Sequence, residues 1–389
     1  MTIPITKVLF GEEELRAVQL PLESGWVVQG PFVKKFEDGF AAMTGAGAAV
    51  ATSSCTTALH IVVAALGLKP GDEVIVPSFT WVATANVVEY MGATPVFCDI
   101  DLASFNLDTT RLASLVTPRT VGIIPVHLFG GAADMDPVLE IARRHKLWVV
   151  EDAACGFGTW YGGRHAGAFA EAGCFSFHPR KSITTGEGGM ITTADPKLER
   201  LSRSLRDHGA SRSDHDRHNN RGSFLLSEYD ILGFNFRMTD IQGALGCAQL
   251  DRADMILDGR RARAARYDEL LAGLDWYRPQ RIPAGSVHGY QAYVGLYAPE
   301  EPTLDNLAGL NERRNALMER LEAQGIATRP GTHAPPLQGL YREKYGIRPG
   351  DVPAAAIAEQ LSLALPLFPQ MTDDEQDTVF EALVAAHAG

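Results

Sequence analysis

The sequence contains few cysteines, and they form no recognisable motif. Cys55, Cys98, Cys155, Cys174 and Cys247 are widely spaced, their number is odd, and none belongs to a C-x-x-C pair. This pattern indicates neither a disulfide framework nor a zinc site, and we predict no bound metal. We expect a reducing, cytoplasmic compartment, because disulfides form mainly in oxidising ones.

The sequence also lacks the marks of a secreted or membrane-bound chain. Residues 1–15 contain no basic region followed by an apolar stretch, so no signal peptide is predicted. Residues 39–68 carry no formal charge and are long enough to span a bilayer. Their middle, residues 52–57, is a run of small, mostly hydroxylated side chains, which suits a loop better than a lipid-facing helix. We predict instead a buried strand at 48–51, a polar turn and a buried helix at 57–66.

An excess of basic residues is absent as well. The chain has 35 lysines and arginines against 47 aspartates and glutamates, which gives a formal net charge of −12. This charge disfavours binding to nucleic-acid phosphates or to an anionic membrane surface. The 389 residues include 46% hydrophobic and 21% charged residues, close to the averages for soluble globular proteins, so disordered and fibrous classes are excluded.

Short apolar runs rich in β-branched residues alternate with stretches of helical periodicity. This alternation predicts an α/β fold with a mostly parallel sheet and helices on both faces. We assign this large domain to residues 1–250 and a smaller C-terminal α+β domain to residues 251–389. The predicted elements are strands at 73–77, 95–99, 121–126, 147–150, 173–177, 189–193 and 290–297, and helices at 83–91, 136–145, within 239–274, and at 373–387.

Three groups of polar residues follow strands of the predicted sheet. They are the hydroxyl-rich turn at 53–57, the pair Glu151 and Asp152, and the segment 176–181, which ends at Lys181. Because ligands bind at the carboxyl ends of parallel strands, we expect these groups to meet at one edge. Each alone has an ordinary explanation: Asp152 as a solvated cap, Lys181 as a surface lysine, and the hydroxyl run as a helix N-cap.

Together, these groups match the needs of pyridoxal 5′-phosphate (PLP). Its aldehyde needs an amine, and Lys181, desolvated beside the site, could lose its proton and form a Schiff base. Its ring nitrogen needs a carboxylate, which Asp152 supplies, and its phosphate suits a helix N-terminus, which the turn at Cys55 and Thr56 supplies. Trp81 offers an aromatic face for the ring, with a core tryptophan as the alternative.

Several ordered motifs extend this pattern along nearly the whole chain. By these motifs the sequence resembles the DegT-type aminotransferases of nucleotide-sugar and aminocyclitol biosynthesis, which share the aspartate-aminotransferase fold (PLP fold type I). The matching segments are SGWVVQGP at 24–31, PSFTWVATAN at 77–86, PVHLFG at 125–130, EDAA at 151–154, FSFH at 175–178, TTGEGG at 184–189 and GFNFRMT at 233–239.

The resemblance implies a role for residues within these motifs. It implies that Lys181 bonds to the cofactor, that Asp152 pairs with the ring nitrogen and that Trp81 stacks on the ring. The phosphate would be held by Cys55, Thr56 and Ser176, and by Asn235 of the neighbouring subunit, so the resemblance implies a homodimer with shared active sites. The remaining predicted contacts are Cys155 for the cofactor and Trp26, Gln29, His178 and Arg237 for the substrate.

Two positions differ from many members of the family. Cys155 replaces a glutamine that contacts the cofactor's ring oxygen, and Gln291 replaces a histidine in a small-domain strand. Lys181, by contrast, agrees with the members that transaminate, since related dehydratases have histidine there. The second position indicates that the sugar pocket differs from that of the 4-amino-sugar enzymes.

The resemblance implies a PLP-dependent transaminase that moves an amino group from an amino acid, L-glutamate by resemblance, to a nucleotide-linked keto-sugar. Two alternatives stay open. One is an aminocyclitol enzyme that acts on a keto-inositol without a nucleotide, and the other is a PLP-binding regulatory protein without turnover. Neither nucleic acid nor a membrane is an expected partner.

The polar segment 206–222 is too long for an ordinary connection. It contains four arginines and three histidines, so a pyrophosphate contact, a metal site and a solvated mobile loop are all open interpretations. Those residues are Arg206, Arg212, Arg217 and Arg221, with His208, His215 and His218.

Replacing Arg212 and Arg217 with alanine tests the first interpretation. Guanidinium groups bind phosphate in a bidentate manner, so we expect the double variant to have a raised KM for a nucleotide sugar. Steady-state kinetics with varied acceptor measures this, and an unchanged KM would remove the pyrophosphate role.

Overall fold

The computed structural model describes residues 2–211 and 227–388. Arg212, Arg217 and Arg221 of the polar segment, together with His215 and His218, lie outside the described residues. Thirteen helices are described: α1 Glu12–Ser24, α2 Pro31–Thr44, α3 Cys55–Ala65, α4 Ala83–Tyr90, α5 Leu112–Leu115, α6 Met135–His145, α7 Pro196–Arg206, α8 Asp240–Asp251, α9 Ala253–Leu271, α10 Leu307–Ala323, α11 Gly339–Tyr345, α12 Pro353–Leu361 and α13 Asp373–Ala388.

The strands of the described residues form three sheets. The main sheet has seven strands in the order β1-β9-β8-β5-β4-β2-β3, and two three-stranded sheets have the orders β10-β12-β13 and β11-β6-β7. The strands are β1 Ala48–Thr52, β2 Glu73–Pro77, β3 Thr94–Cys98, β4 Thr120–Ile123, β5 Trp148–Asp152, β6 Trp160–Tyr161, β7 Arg164–His165, β8 Ala172–Ser176, β9 Gly189–Thr193, β10 Tyr277–Pro279, β11 Ser286–Val287, β12 Tyr293–Tyr297 and β13 Ser362–Leu365.

The main sheet is mostly parallel, as the sequence predicts. Strands β3, β2, β4, β5 and β8 pair in parallel, whereas β9 runs antiparallel to both β8 and β1. The antiparallel strand is not part of the prediction, because an apolar run alone does not give strand direction. Because β9 runs antiparallel to both neighbours, the carboxyl ends of β1 and β8 lie on either side of Gly189, the first residue of β9.

Both faces of the main sheet are covered by helices. Val50 and Cys174 face a core that includes α3, while the alternate residues Ala49 and Phe175 face a second core that includes α2. Side chains along a strand alternate between faces, so a sheet buried on both sides needs such continuous apolar runs. The uncharged segment 39–68 supplies β1 and α3, and none of the described helices is long and apolar enough to cross a membrane.

The C-terminal part forms its own core, separate from the two cores of the main sheet, around the antiparallel sheet of β10, β12 and β13. Strand β12 begins at Tyr293, later than predicted, because Tyr290 has a φ of 45° and breaks the extended conformation. Ile3 joins this core through a bridge to Ile326, so the first residues of the chain pack against its last third. The boundary at residue 250 stays a prediction.

Candidate functional site

The site lies where the carboxyl ends of neighbouring strands meet. Asp152 is the last residue of β5, and Ser176 is the last residue of β8. Thr52 and Ser176 both pair with Gly189, the first residue of β9. This register brings the turn after β1, the segment after β8 and Asp152 to one edge, as the sequence predicts.

Asp152 is a buried carboxylate with two protein donors. Its Oδ2 accepts a hydrogen bond from the Thr84 hydroxyl at 2.7 Å, and its Oδ1 accepts one from the Ala154 backbone N–H at 3.1 Å. Burial raises the pKa of Asp152 above its ordinary value, although these donors and the nearby Lys181 act in the opposite direction. The ordinary explanation of Asp152 as a solvated cap is wrong, since the residue is only 4% exposed.

Lys181 follows β8, and its amine contacts the Cys155 thiol with an Nζ to Sγ distance of 3.1 Å. Burial acts to lower the pKa of Lys181, but the contact with Cys155 and the nearby Asp152 carboxylate act in the opposite direction, and the pKa lies above its ordinary value. The sequence argument that desolvation releases the lysine proton is therefore wrong for this arrangement, because neighbouring acidic groups stabilise the cation.

Helix α3 presents its N-terminus at the same edge. Ser54 is the N-cap, and its hydroxyl accepts a hydrogen bond from the Thr57 backbone N–H at 3.1 Å. Cys55 and Thr56 form the first helical positions, whose N–H groups have no partner within a helix. The Cys55 thiol points into the core, where it contacts the Cys174 carbonyl.

Glycine at position 189 lets β9 approach this helix end closely. A Cβ there would lie 2.3 Å from the Ser54 backbone carbon and oxygen, and 2.6 Å from the Cys55 nitrogen. Ser182, which follows Lys181 in the chain, has a buried hydroxyl with no hydrogen-bond partner among the described residues. The edge therefore combines a helix N-terminus, an amine, a carboxylate and an unpaired hydroxyl, a set that suits a phosphorylated ligand.

The other predicted residues occupy varied surroundings. Trp81 is 54% exposed, with its ring 5.7 Å from the His333 ring, so the core-tryptophan alternative is wrong. The Ser176 hydroxyl accepts a hydrogen bond from the His178 N–H at 3.4 Å, and burial lowers the pKa of His178. Asn235 is exposed.

Two predicted substrate residues are engaged within the chain. Trp26 donates its indole N–H to the Gln29 carbonyl at 3.2 Å, while the Gln29 side-chain oxygen is buried without a partner among the described residues. Arg237 forms an ion pair with Asp207. Neither contact joins these residues to Lys181 or Asp152.

The sequence reasoning missed three supports of the site. The Thr84 hydroxyl, in the first turn of α4, donates to Asp152, and it lies 3.2 Å from the hydroxyl of Thr80, which precedes the helix. The Gln291 amide donates to the Arg180 carbonyl at 2.7 Å, one residue before Lys181. No pattern in the sequence announces that last contact, since it joins residues 111 positions apart.

A third support is the neighbour of Asp152 on the same strand. Glu151 is fully buried and accepts hydrogen bonds from the His127 ring at 3.0 Å and from three backbone N–H groups. His127 Nδ1 accepts from the Ala133 N–H, so its other ring nitrogen carries the proton that it donates to Glu151.

No group of three or more histidine, cysteine, aspartate or glutamate side chains in 2–211 and 227–388 could hold a metal ion.

Comparisons with known proteins show the family and the fold of the chain. A family model described as the DegT/DnrJ/EryC1/StrS aminotransferase family matches residues 9–384. GDP-perosamine synthase of Caulobacter vibrioides is 40% identical over 363 residues, which cover 93% of this chain and 92% of the relative. Spore coat polysaccharide biosynthesis protein SpsC of Bacillus subtilis is 38% identical over 383 residues, covering 98% and 96%.

Among solved structures, Helicobacter pylori PseC, an aminotransferase involved in the biosynthesis of pseudoaminic acid, superposes with a TM-score of 0.91. It is 25% identical, and the superposition covers 100% of both chains. The similarity therefore extends over the main sheet, the site edge and the C-terminal part together.

Replacing Gly189 with alanine tests the close approach of β9 to α3. The new Cβ would meet backbone atoms that no side-chain rotation can move, so we expect a loss of about 1–3 kcal/mol of stability, seen as a lower Tm. Gly309→Ala is the matched control, because its Cβ would meet nothing within 4 Å and the position lies inside α10. Equal Tm values for the two variants would contradict this geometry.

Proposed function

Since the chain belongs to the DegT/DnrJ/EryC1/StrS aminotransferase family, and is therefore a PLP-dependent transaminase, we propose that it transfers an amino group from L-glutamate to a nucleotide-linked keto-sugar. Its predicted fold class is confirmed as the aspartate-aminotransferase-like fold of PLP enzymes. The observation that carries the proposal is the presence of Lys181 and Asp152 in one site beside the N-terminus of α3.

The residues at this edge fit PLP. Asp152 keeps acceptor capacity for the ring N–H, because a carboxylate can accept more hydrogen bonds than the two it receives. The first N–H groups of α3, with Ser176 and the unpaired Ser182 hydroxyl, suit the phosphate. The exposed ring of Trp81 is available to cover the cofactor face.

When bound, PLP supplies an electron sink for the substrate's Cα–H bond, and the protein supplies positioning and proton transfer. In this proposal the Lys181 amine would accept the proton from Cα of the donor and deliver it to the cofactor carbon that carries the amino group, and it would move a proton in the opposite direction in the acceptor half of the cycle. Cys155 holds this amine whenever it is free. Asp152 keeps the ring nitrogen protonated throughout.

The substrate class is proposed from the relatives and from the site. GDP-perosamine synthase and PseC are named for sugar products, and both match nearly the whole chain. A nucleotide-linked acceptor agrees with the arginines at 212, 217 and 221. Arg206 is not part of this proposal, because it is buried in an ion pair with Glu37. Trp26, Gln29, His178 and Arg237 complete the proposed pocket. We further propose a cytoplasmic homodimer in which the exposed Asn235 reaches the phosphate of the neighbouring subunit.

A two-stage reaction tests the proposed function. Glutamate alone should convert bound PLP to the pyridoxamine form, and a keto-sugar nucleotide should then restore the PLP spectrum. Absorbance spectroscopy follows both stages in a screen of acceptors. A free nucleoside diphosphate should inhibit the second stage. If only a keto-inositol restores the spectrum, the acceptor class is wrong, and if glutamate causes no change, the donor or the catalytic role is wrong.

The Lys181→Ala variant tests the proposed proton carrier. Loss of a group that acts as both acid and base should reduce turnover by at least about 100-fold, since general acid–base catalysis contributes about 10²–10⁴-fold. The visible absorbance of the bound cofactor should also change. Lys197→Ala is the control, because this lysine is exposed at the start of α7. Retained turnover in Lys181→Ala would exclude the assignment.

A further inference from the structure

A chain of two threonine hydroxyls ends on the Asp152 carboxylate. The Thr84 hydroxyl lies 2.7 Å from Asp152 Oδ2, and the Thr80 hydroxyl lies 3.2 Å from the Thr84 hydroxyl. Both threonines are buried. At its outer end, the Thr80 backbone N–H donates to the His333 carbonyl at 3.0 Å, which fixes Thr80 against the C-terminal part of the chain.

The acceptors near Thr84 determine the direction in which these hydrogen bonds are donated. Thr84 has one hydroxyl proton and two acceptors within reach, Asp152 at 2.7 Å and the Trp81 carbonyl at 3.2 Å. The shorter contact to a charged group is the stronger one, so the proton points to Asp152. The Thr84 oxygen is then free to accept the proton of Thr80. Aligned hydrogen bonds polarise one another, so Thr80 strengthens the bond from Thr84.

We propose that Thr84, supported by Thr80, is a positioning residue that keeps the Asp152 carboxylate ionised and correctly oriented for the cofactor's ring nitrogen. The inference rests on the proposed role of Asp152 in binding that nitrogen. Thr84 does not touch the reacting atoms and acts through Asp152 alone.

The charges around Asp152 support this role. Burial is the largest influence and raises the pKa of Asp152, and the Thr84 hydrogen bond is the largest opposing influence. Lys181 also acts to lower it. The thiols that face Asp152 are Cys55 and Cys174, whose own pKa values are raised by burial and by Asp152, so they are neutral at physiological pH.

Titration of Asp152 in the chain without added PLP tests the proposal directly. Thr84→Val keeps the shape but removes the donor, so the anion is less stable and the pKa of Asp152 should rise by about 1–2 units. Thr84→Ser should restore the ordinary behaviour, and Thr80→Val should give a smaller rise. NMR of ¹³C-labelled aspartate measures this, with Asp152→Asn identifying the signal. An unchanged titration in folded Thr84→Val would overturn the proposal.

The pH dependence of turnover supplies a second readout. In Thr84→Val the acidic limb of the kcat-against-pH profile should move to higher pH, because protonated Asp152 no longer holds the ring nitrogen. At the pH of the wild-type acidic limb, kcat of the variant should be about 10- to 100-fold lower than that of wild type. The KM of the acceptor should change little. Thr44→Val is the matched control, since the hydroxyl of this buried threonine donates to the Phe40 and Ala41 carbonyls within α2 and not to a carboxylate of the described residues.

Identical pH limbs in Thr84→Val and Thr44→Val would contradict the positioning role. The two proposals fail separately. If wild type does not transaminate sugars, the proposed function fails, whereas the carboxyl titration still reports on Thr84.

Discussion

The site depends on a carboxylate that is buried but incompletely hydrogen-bonded. A buried ionised carboxylate is costly unless donors or a cation compensate for lost hydration. Asp152 has two such donors among the described residues, Thr84 and the Ala154 N–H, and a lysine nearby. The surrounding elements serve this one group: β5 places it, the loop after β8 brings Lys181, and α4 brings Thr84. The remaining acceptor capacity is what a protonated ring nitrogen can use.

The adjacent carboxylate shows the opposite arrangement. Glu151 and Asp152 are consecutive on β5, so their side chains point to opposite faces of the sheet. Glu151 accepts from His127 and from the Gly167, Phe169 and Ala170 N–H groups, which occupy its acceptor positions. A carboxylate whose acceptor positions are all filled holds the surrounding loops in place and cannot accept a further hydrogen bond from a ligand. The one-residue alternation of the strand thus separates a carboxylate whose acceptor positions are filled from one that has acceptor capacity left.

The sequence predicts the site edge better than the contacts within it. Strand ends are visible as apolar runs, and for this reason the placement of Asp152 and of the polar turn after β1 at the site edge is correct. The helix that follows this turn begins at Cys55, two residues earlier than predicted. Contacts that depend on side-chain reach between distant elements are not visible in this way, as with Thr84 and Asp152 or Cys155 and Lys181. The raised pKa of Lys181 depends on those same contacts, so an argument from burial alone gave the wrong direction.

The hydrogen bond from Gln291 to the Arg180 carbonyl has a consequence for how such enzymes diversify. The sequence predicts that Gln291 belongs to the sugar pocket. Its side-chain amide also holds the backbone of Arg180, the residue before Lys181. Replacing Gln291 with a side chain that cannot donate would remove this hydrogen bond. A substitution at position 291 would therefore change the predicted sugar-pocket residue and the support of the backbone next to Lys181 at the same time.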